Sequence, residues 1–178
     1  MSTASLSAQR LPRYDASTIV LHWMTALLIG LLWVGGQTID ALGKNATPTL
    51  RSVHISLGVT LALVLAVRVL WRLTSGRSLP GADTGLLHQI ARATHYLLYL
   101  VAGTTVALGL TAAWLRGDSV FGLFAFPGGE RELGHTVRGF HALAANALLI
   151  LAGMHAAAAL FHHYVLRDSV LRRMLPRS

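Results

Sequence analysis

The chain of 178 residues contains no cysteine. This absence excludes disulfides, iron–sulfur clusters held by thiolates, and covalent haem attachment through a C-x-x-C-H motif. Nine histidines remain in a chain that offers little other chemistry for binding soft metals. The excess of histidine is therefore the feature that needs an explanation.

Charged residues are also scarce, at 12% of the chain, whereas 53% is hydrophobic and the mean hydropathy is +0.55. Soluble domains carry about 25% charged residues, so the composition favours a membrane protein. Seven acidic residues against 15 Lys and Arg give a net charge of +8. Because the basic residues lie between apolar runs, we interpret them as orienting the chain in a membrane, and we expect no nucleic-acid partner.

Four apolar stretches are long enough to cross about 30 Å of hydrocarbon as helices. They cover approximately residues 17–36, 53–73, 91–114 and 138–163. The first has no A-x-A-like exit, so we expect it to be retained rather than cleaved as a signal peptide. The sequence therefore predicts an all-α fold, a four-helix transmembrane bundle formed by residues 1–178 as a single domain.

Capping residues mark the starts of the predicted helices. Thr47 followed by Pro48 places a hydroxyl cap before a proline at the first helical position. The other candidate caps are Asp15 or Ser17 for the first helix, Asp83 or Thr84 for the third, and Thr136 for the fourth. Between the third and fourth spans, residues 121–126 are expected to lie in the membrane interface.

The distribution of basic residues predicts the orientation. With both termini in the cytoplasm, nine basic residues lie inside: Arg10, Arg13, Arg72, Arg77, Arg92, Arg167, Arg172, Arg173 and Arg177. Five lie outside: Lys44, Arg51, Arg116, Arg131 and Arg138. An excess of basic residues on the inner side predicts that both termini are cytoplasmic.

Two histidines of the fourth span, His141 and His155, are 14 residues apart. That separation is four helical turns less about 40°, so both side chains project from one face, roughly 21 Å apart along the axis. Spans two and four run in the same direction, so His54 lies at the depth of His141. Span one runs the other way, so His22 lies at the depth of His155.

The antiparallel bundle thus predicts an outer pair, His54–His141, and an inner pair, His22–His155. Two neutral imidazoles on one haem iron leave no open site for oxygen, which suits electron transfer. The alternatives are core histidines hydrogen-bonded between helices, or a zinc site. Zinc sites gather three or four ligands at one depth, often with carboxylates, and all seven acidic residues lie outside the predicted spans. His95, at the inner end of the third span, remains a competitor of His22.

Several short segments carry histidine or arginine within apolar sequence: IVLHW at 19–23, HISLG at 54–58, RVLWRL at 68–73, and GMH at 153–155 with HHY at 162–164. In their order and spacing these segments resemble the bacterial cytochrome b561 family. The resemblance implies an inner-membrane protein with two b-type haems, one ligand coming from the first span, one from the second and two from the fourth. Those ligands fall on His22, His54, His141 and His155, and His95 is then not a ligand.

The family includes a member that oxidises superoxide at the outer face and passes the electron to ubiquinone. This chain is similar to that member, including a basic residue, Arg138, three positions before the outer ligand of the fourth span. The resemblance therefore implies a superoxide oxidase with ubiquinone as electron acceptor. The alternatives are an electron-transfer subunit that docks a partner redox protein, as in hydrogenase-linked relatives, and a non-redox metal transporter.

Three further groups of residues are candidates for binding. Arg68 can pair with a propionate of the inner haem, or it can extend its head to the lipid surface. His95 and His162 can bound a quinone pocket beside the inner haem, or contact lipid headgroups. A positive funnel for a small anionic donor, with ordinary loop charge as the alternative, would consist of Lys44, Arg51 and Arg138, supported by Arg131 and His135.

Overall fold

The computed structural model describes residues 13–76, 79 and 85–176. Four long helices are α1 (Ala16–Leu42), α2 (Pro48–Thr74), α3 (Gly85–Arg116) and α4 (Arg131–Phe161). The shorter elements are a 3-10 turn (Gly43–Asn45), a hairpin of β1 (Ser119–Val120) and β2 (Phe124–Ala125), a π-helical turn (His162–Leu166) and a second 3-10 turn (Leu171–Met174). Within these ranges four helices are long and apolar enough to cross a membrane, which confirms the predicted number of apolar helices.

The helix ends depart from the predicted boundaries. Asp15 caps α1 by accepting from the Thr18 N–H at 2.9 Å, and Thr47 caps α2, so both of these predictions are confirmed. Thr136 is wrong as a cap, because α4 begins at Arg131 and already contains it. Some predicted residues lie outside the part of the chain that the structure describes. They are the candidate caps Asp83 and Thr84 and the basic residues Arg10, Arg77 and Arg177.

The helices form two closely packed pairs, α1 with α2 and α3 with α4. Leu28 of α1 meets Leu61 and Val64 of α2 in the main buried cluster. Large apolar side chains also point outward, such as Leu143 and Ile150, which are 68% and 65% exposed. This exposure suits a bilayer, because lipid tails are as apolar as leucine and the helices satisfy their own backbone polar groups.

The segment between α3 and α4 forms a tight hairpin that is fastened to α2. Phe121 and Gly122 both have positive φ, as a type I′ turn requires. Their backbone N–H groups donate to α2, Phe121 to Ser56 Oγ at 2.6 Å and Gly122 to Ser52 Oγ at 3.1 Å. The segment 121–126, expected in the interface, is thus a hairpin held at the end of the bundle and not a spanning helix.

Candidate functional site

The outer end of the bundle, named from the predicted orientation, brings His54 and His141 together. Their ring centroids are 6.2 Å apart and their planes lie at 88°. A metal ion bonded to two imidazole nitrogens at roughly 2 Å separates those nitrogens by about 4 Å, and half a ring on each side puts the ring centres roughly 6 Å apart. The spacing of this pair therefore fits one metal ion held between the two rings.

Hydrogen bonds around the outer pair leave nitrogens available for a metal. Nδ1 of His141 lies 2.9 Å from the backbone oxygen of Thr105 on α3. A carbonyl only accepts, so Nδ1 carries the proton and Nε2 keeps its lone pair, as in most metal-ligating histidines. Nδ1 of His54 is buried and has no hydrogen-bond partner in the part of the chain described. A buried polar nitrogen without a partner costs free energy of folding. A bond to a group that the described chain does not supply would remove that cost.

Glycines let the neighbouring helices approach the two rings. A Cβ at Gly109 of α3 would lie 2.9 Å from Cε1 and 3.0 Å from Nδ1 of His141. A Cβ at Gly35 or Gly36 of α1 would lie 3.4 or 3.5 Å from atoms of the His54 ring. A Cβ at Gly109 would therefore force the His141 ring to move, whereas a Cβ at Gly35 or Gly36 would make only an ordinary contact with the His54 ring.

A cavity of about 390 Å³ lies beside the two rings. Its wall is largely apolar, with Leu32, Leu110 and Leu148 among the lining residues, and both imidazoles reach it. Cofactor sites typically combine such an apolar wall with a few polar groups in a volume of about 300–1,000 Å³. The residues present therefore fit a b-type haem, an apolar ring whose iron takes two imidazoles.

Charged residues form one part of the lining of this cavity, and this part is called its mouth below. Those within the described chain are four formal cations and one carboxylate: Lys44, Arg51, Arg116, Arg138 and Asp40. The Arg51 Nη2 donates to the Gly43 oxygen at 3.3 Å, while its buried Nε finds no partner among the described residues. The structure thus brings the three predicted funnel cations to one opening. Asp40 was not among the predicted site residues, because the predicted first span ends at residue 36. In the structure α1 continues to Leu42 and includes Asp40.

The inner end brings His22 of α1 to His155 of α4. Their ring centroids are 6.3 Å apart and their planes lie at 68°, nearly the spacing of the outer pair. His95 of α3 lies closer to His155, at 5.2 Å between centroids, which is short for one ion between two rings. The Nδ1–H of His95 donates to the Ala91 oxygen at 2.6 Å. The spacing therefore favours the pair His22–His155 over His95–His155.

Arg68 of α2 lies against the inner pair. Its Nη2 is 2.9 Å from Nδ1 of His22, and its guanidinium carbon is 5.3 Å from the centroid of the Tyr99 ring. A guanidinium has only donors, so Nδ1 of His22 accepts this hydrogen bond. No carboxylate within the described ranges forms an ion pair with Arg68. A positive charge therefore stands beside His22, half-buried between the helices.

His162 lies just beyond α4, in the π-helical turn. Its position relative to His155 therefore cannot be calculated from the 3.6-residue period of a regular α-helix. Its Nδ1–H donates to Oδ2 of Asp168 at 2.5 Å. Burial alone would raise the pKa of Asp168, but hydrogen bonds from His162 and from the Val170 N–H hold the pKa of that carboxyl below its ordinary value. Asp168 is thus the partner of His162, and no sequence pattern pointed to it.

Known proteins resemble the chain over nearly its whole length. The sequence profile of the family described as prokaryotic cytochrome b561 matches residues 13–177. The chain is 29% identical to the Yersinia pestis protein named "Probable superoxide oxidase CybB", over 93% of this chain and 97% of that one. It is 33% identical to cytochrome b562 of Cereibacter sphaeroides, over 92% and 96% of the two chains. Cytochrome b561 homolog 2 of Escherichia coli is 30% identical, over 93% of each chain.

Proposed function

Since this chain belongs to the prokaryotic cytochrome b561 family, we propose that it carries electrons across the bacterial inner membrane from superoxide to ubiquinone, with two b-type haems as cofactors. Membership by itself makes the chain a multi-pass membrane protein of electron transfer that binds b-type haem. The observation that carries the two-haem proposal is the near-equal spacing of the two histidine pairs, 6.2 and 6.3 Å, at opposite ends of one bundle.

In this proposal His54 and His141 hold the outer haem, and His22 and His155 hold the inner haem. When bound, each haem supplies a carrier for one electron whose two imidazole ligands leave no position for oxygen. The chain positions the ligands: the Nδ1–H of His141 donates to the backbone oxygen of Thr105 at 2.9 Å, and this hydrogen bond orients the ring. Both termini are proposed to be cytoplasmic, and residues 1–178 to act as one domain in contact with lipid.

The outer donor is proposed to be superoxide because the mouth of the cavity is basic. Lys44, Arg51 and Arg138 line this mouth beside His54 and His141. In the described chain, four cations against the one carboxylate Asp40 leave this lining positive, and a positive cleft raises the encounter rate of an anion. The name of the Yersinia pestis relative supports the same donor.

Ubiquinone is proposed to bind beside the inner pair, close to His95 and His162. The Nδ1–H groups of these rings donate to Ala91 and Asp168, so Nε2 of each ring would donate to a quinone carbonyl when the ring is protonated. His95 is exposed on α3 and its ring lies 5.2 Å from that of His155, so a ligand arriving from the lipid can reach it. His162, bonded to Asp168, can carry a proton. These residues supply the protons that quinone reduction consumes.

Arg68 is proposed to anchor a propionate of the inner haem. A neutral His22 that gave its Nε2 lone pair to iron would carry its proton on Nδ1, and the donor that Arg68 now directs to that nitrogen would then be free for a carboxylate. Replacing Arg68 by glutamine should lower the midpoint potential of the inner haem, because a nearby cation stabilises the reduced form. The expected shift is roughly 60 mV, for a charge at ~12 Å and an effective dielectric constant of ~20. Anaerobic spectroelectrochemistry measures it.

Two variants control the Arg68 experiment. Arg68→Lys keeps the charge and should retain most of the potential, whereas Arg72→Gln removes a charge one turn nearer the end of α2 and should shift it less. An inner haem whose potential is the same in Arg68→Gln as in the wild type would rule out the anchoring role.

The rival functions make different predictions. A subunit that docks a partner redox protein would co-purify with that partner and would not be reduced by superoxide. A metal transporter would gather several ligands at one depth, yet no group of three or more His, Asp or Glu suited to a metal ion occurs within residues 13–76, 79 and 85–176. The paired arrangement therefore favours a cytochrome over a metal transporter, and the response to superoxide would distinguish the two kinds of cytochrome.

An anaerobic titration followed by absorption spectra tests the proposed function. Superoxide added alone should reduce the haems of the purified protein, and a soluble ubiquinone analogue added afterwards should reoxidise them. Haems that stay oxidised under a superoxide flux sufficient to reduce cytochrome c would rule out the oxidase. A colourless protein from cells supplied with ample haem would rule out the cytochrome altogether.

A further inference from the structure

The positive mouth of the outer cavity contains its own anion. Arg138 of α4 forms an ion pair with Asp40 of α1, and both residues line the cavity. Their side chains are 40% and 44% exposed, so solvent reaches both partners. Arg138 precedes His141 by about one helical turn. The carboxylate therefore pairs with a cation that lies three positions before an outer ligand, as Arg51 does before His54.

The other ion pair at this end has a different character. Arg116 pairs with Asp118, two positions away in the same segment, and these side chains are only 17% and 19% exposed. That pair is local and shielded, which makes it a fixed part of the turn after α3. The Asp40–Arg138 pair instead joins two helices across an open mouth. Exposed pairs of this kind are weak, so an anion from solution can displace the carboxylate.

We propose that Asp40 is an internal counter-ion that competes with small anionic electron donors for Arg138, and thereby sets how strongly the outer site prefers anions to cations. This inference rests on the proposed function, because it assigns the selectivity of the same outer site. When superoxide is the donor, it gives up one electron and leaves as dioxygen. The haem that His54 and His141 would hold is the acceptor of this one electron in the proposal, and no proton moves.

Charge fixes the direction of the effect. With Asp40 in place, the guanidinium of Arg138 is engaged and its charge is largely neutralised. Removal of the carboxylate gives the mouth one more uncompensated positive charge and leaves the donor fork of Arg138 to the incoming anion. Encounter with anions should then become faster and encounter with cations slower, most strongly at low ionic strength, where screening is weak.

The test compares Asp40→Asn with the wild type, using the full chain loaded with haem in detergent. Stopped-flow absorption would follow haem reduction by two anions, superoxide and the sulfur dioxide radical anion from dithionite, and by one cation, hexaammineruthenium(II). At low salt we expect Asp40→Asn to react roughly three- to tenfold faster with both anions and more slowly with the cation. These differences should vanish near ~1 M salt.

Two further variants sharpen the comparison. Glu132→Gln removes a carboxylate from the first turn of α4, outside the cavity lining, and should leave all three rates unchanged. Arg138→Gln should slow the anions. Asp40→Asn added to it should accelerate them by less than it does in the wild type, because the charge effect remains but there is no longer a guanidinium for which the carboxylate and the donor compete. Independent of any donor, Asp40→Asn should raise the midpoint potential of the outer haem, whereas Glu132→Gln should not.

Several results would overturn the proposal. These are anion rates in Asp40→Asn equal to those of the wild type, equal acceleration of anions and the cation, or full additivity with Arg138→Gln. Should Asp40→Asn lose haem, Asp40→Ser provides a second neutral variant for the same comparison. A wild type that superoxide fails to reduce would rule out the oxidase alone, because the dithionite radical and the ruthenium complex still measure the selectivity set by Asp40.

Discussion

Replacing His141 with alanine should remove one of two haems and leave the other, so that pigment per protein falls to about half. The centroid of the His141 ring lies 6.2 Å from that of His54, and a metal held between the two rings would lose one of its imidazole ligands. The inner pair lies roughly 21 Å away along the bundle and should keep its haem. Haem extracted as the pyridine complex, measured against protein concentration, gives the ratio.

Matched variants make this experiment decisive. His155→Ala should remove the other haem, and the double variant His141→Ala, His155→Ala should be colourless. His135→Ala is the control, because His135 lies on α4 and lines the same cavity but belongs to neither pair. A His141→Ala protein that keeps its full pigment would contradict the two-level arrangement, and so would a His135→Ala protein that loses a haem.

Gly109→Val should cost the outer haem almost as completely as loss of His141, although it changes no ligand. A Cβ at Gly109 would lie 2.9 Å from the His141 ring, so the imidazole has to move. The movement would also stretch the hydrogen bond that His141 donates to the Thr105 oxygen. Ligand geometry tolerates only about 0.5 Å of displacement, so we expect low occupancy or an altered spectrum of the outer haem.

Gly103→Val is the matched control for Gly109→Val. It places the same β-branched residue on the same helix, where nothing lies within 4 Å of the new Cβ. Both variants therefore carry the same intrinsic helix penalty, and only one crowds a ring. Normal haem content in Gly109→Val, or an equal loss in both variants, would mean that α3 does not hold His141 in the way described.

Sequence alone predicted the features that depend on depth. Apolar length and the rise per residue require no knowledge of partners, so four apolar helices could be read from the chain. The same rule placed His54 with His141 and His22 with His155, and the structure brings each of these pairs to about 6 Å. The resemblance to the cytochrome b561 family is confirmed by the profile match over residues 13–177.

Features that depend on the rotation of a helix, or on where a polar helix end lies, could not be predicted from the sequence. Asp40 follows the apolar run, so hydropathy assigned it to a loop, although α1 continues to Leu42 and turns it towards Arg138. His162 pairs with Asp168 where the chain leaves α-helical geometry after Phe161. Periodicity describes regular helices, and it says nothing about where a helix changes its form.

The assignment of one imidazole of each pair to α4 has a consequence for biosynthesis. His141 and His155 both lie on this helix, which the ribosome makes after α1, α2 and α3. While the first three helices enter the membrane, His22 and His54 still lack their partner histidines. Neither end of the bundle can then supply both imidazole ligands to a metal. Insertion of a single late helix completes both sites at once, so cofactor loading should follow synthesis of α4 and should occur at both ends in the same stage of assembly.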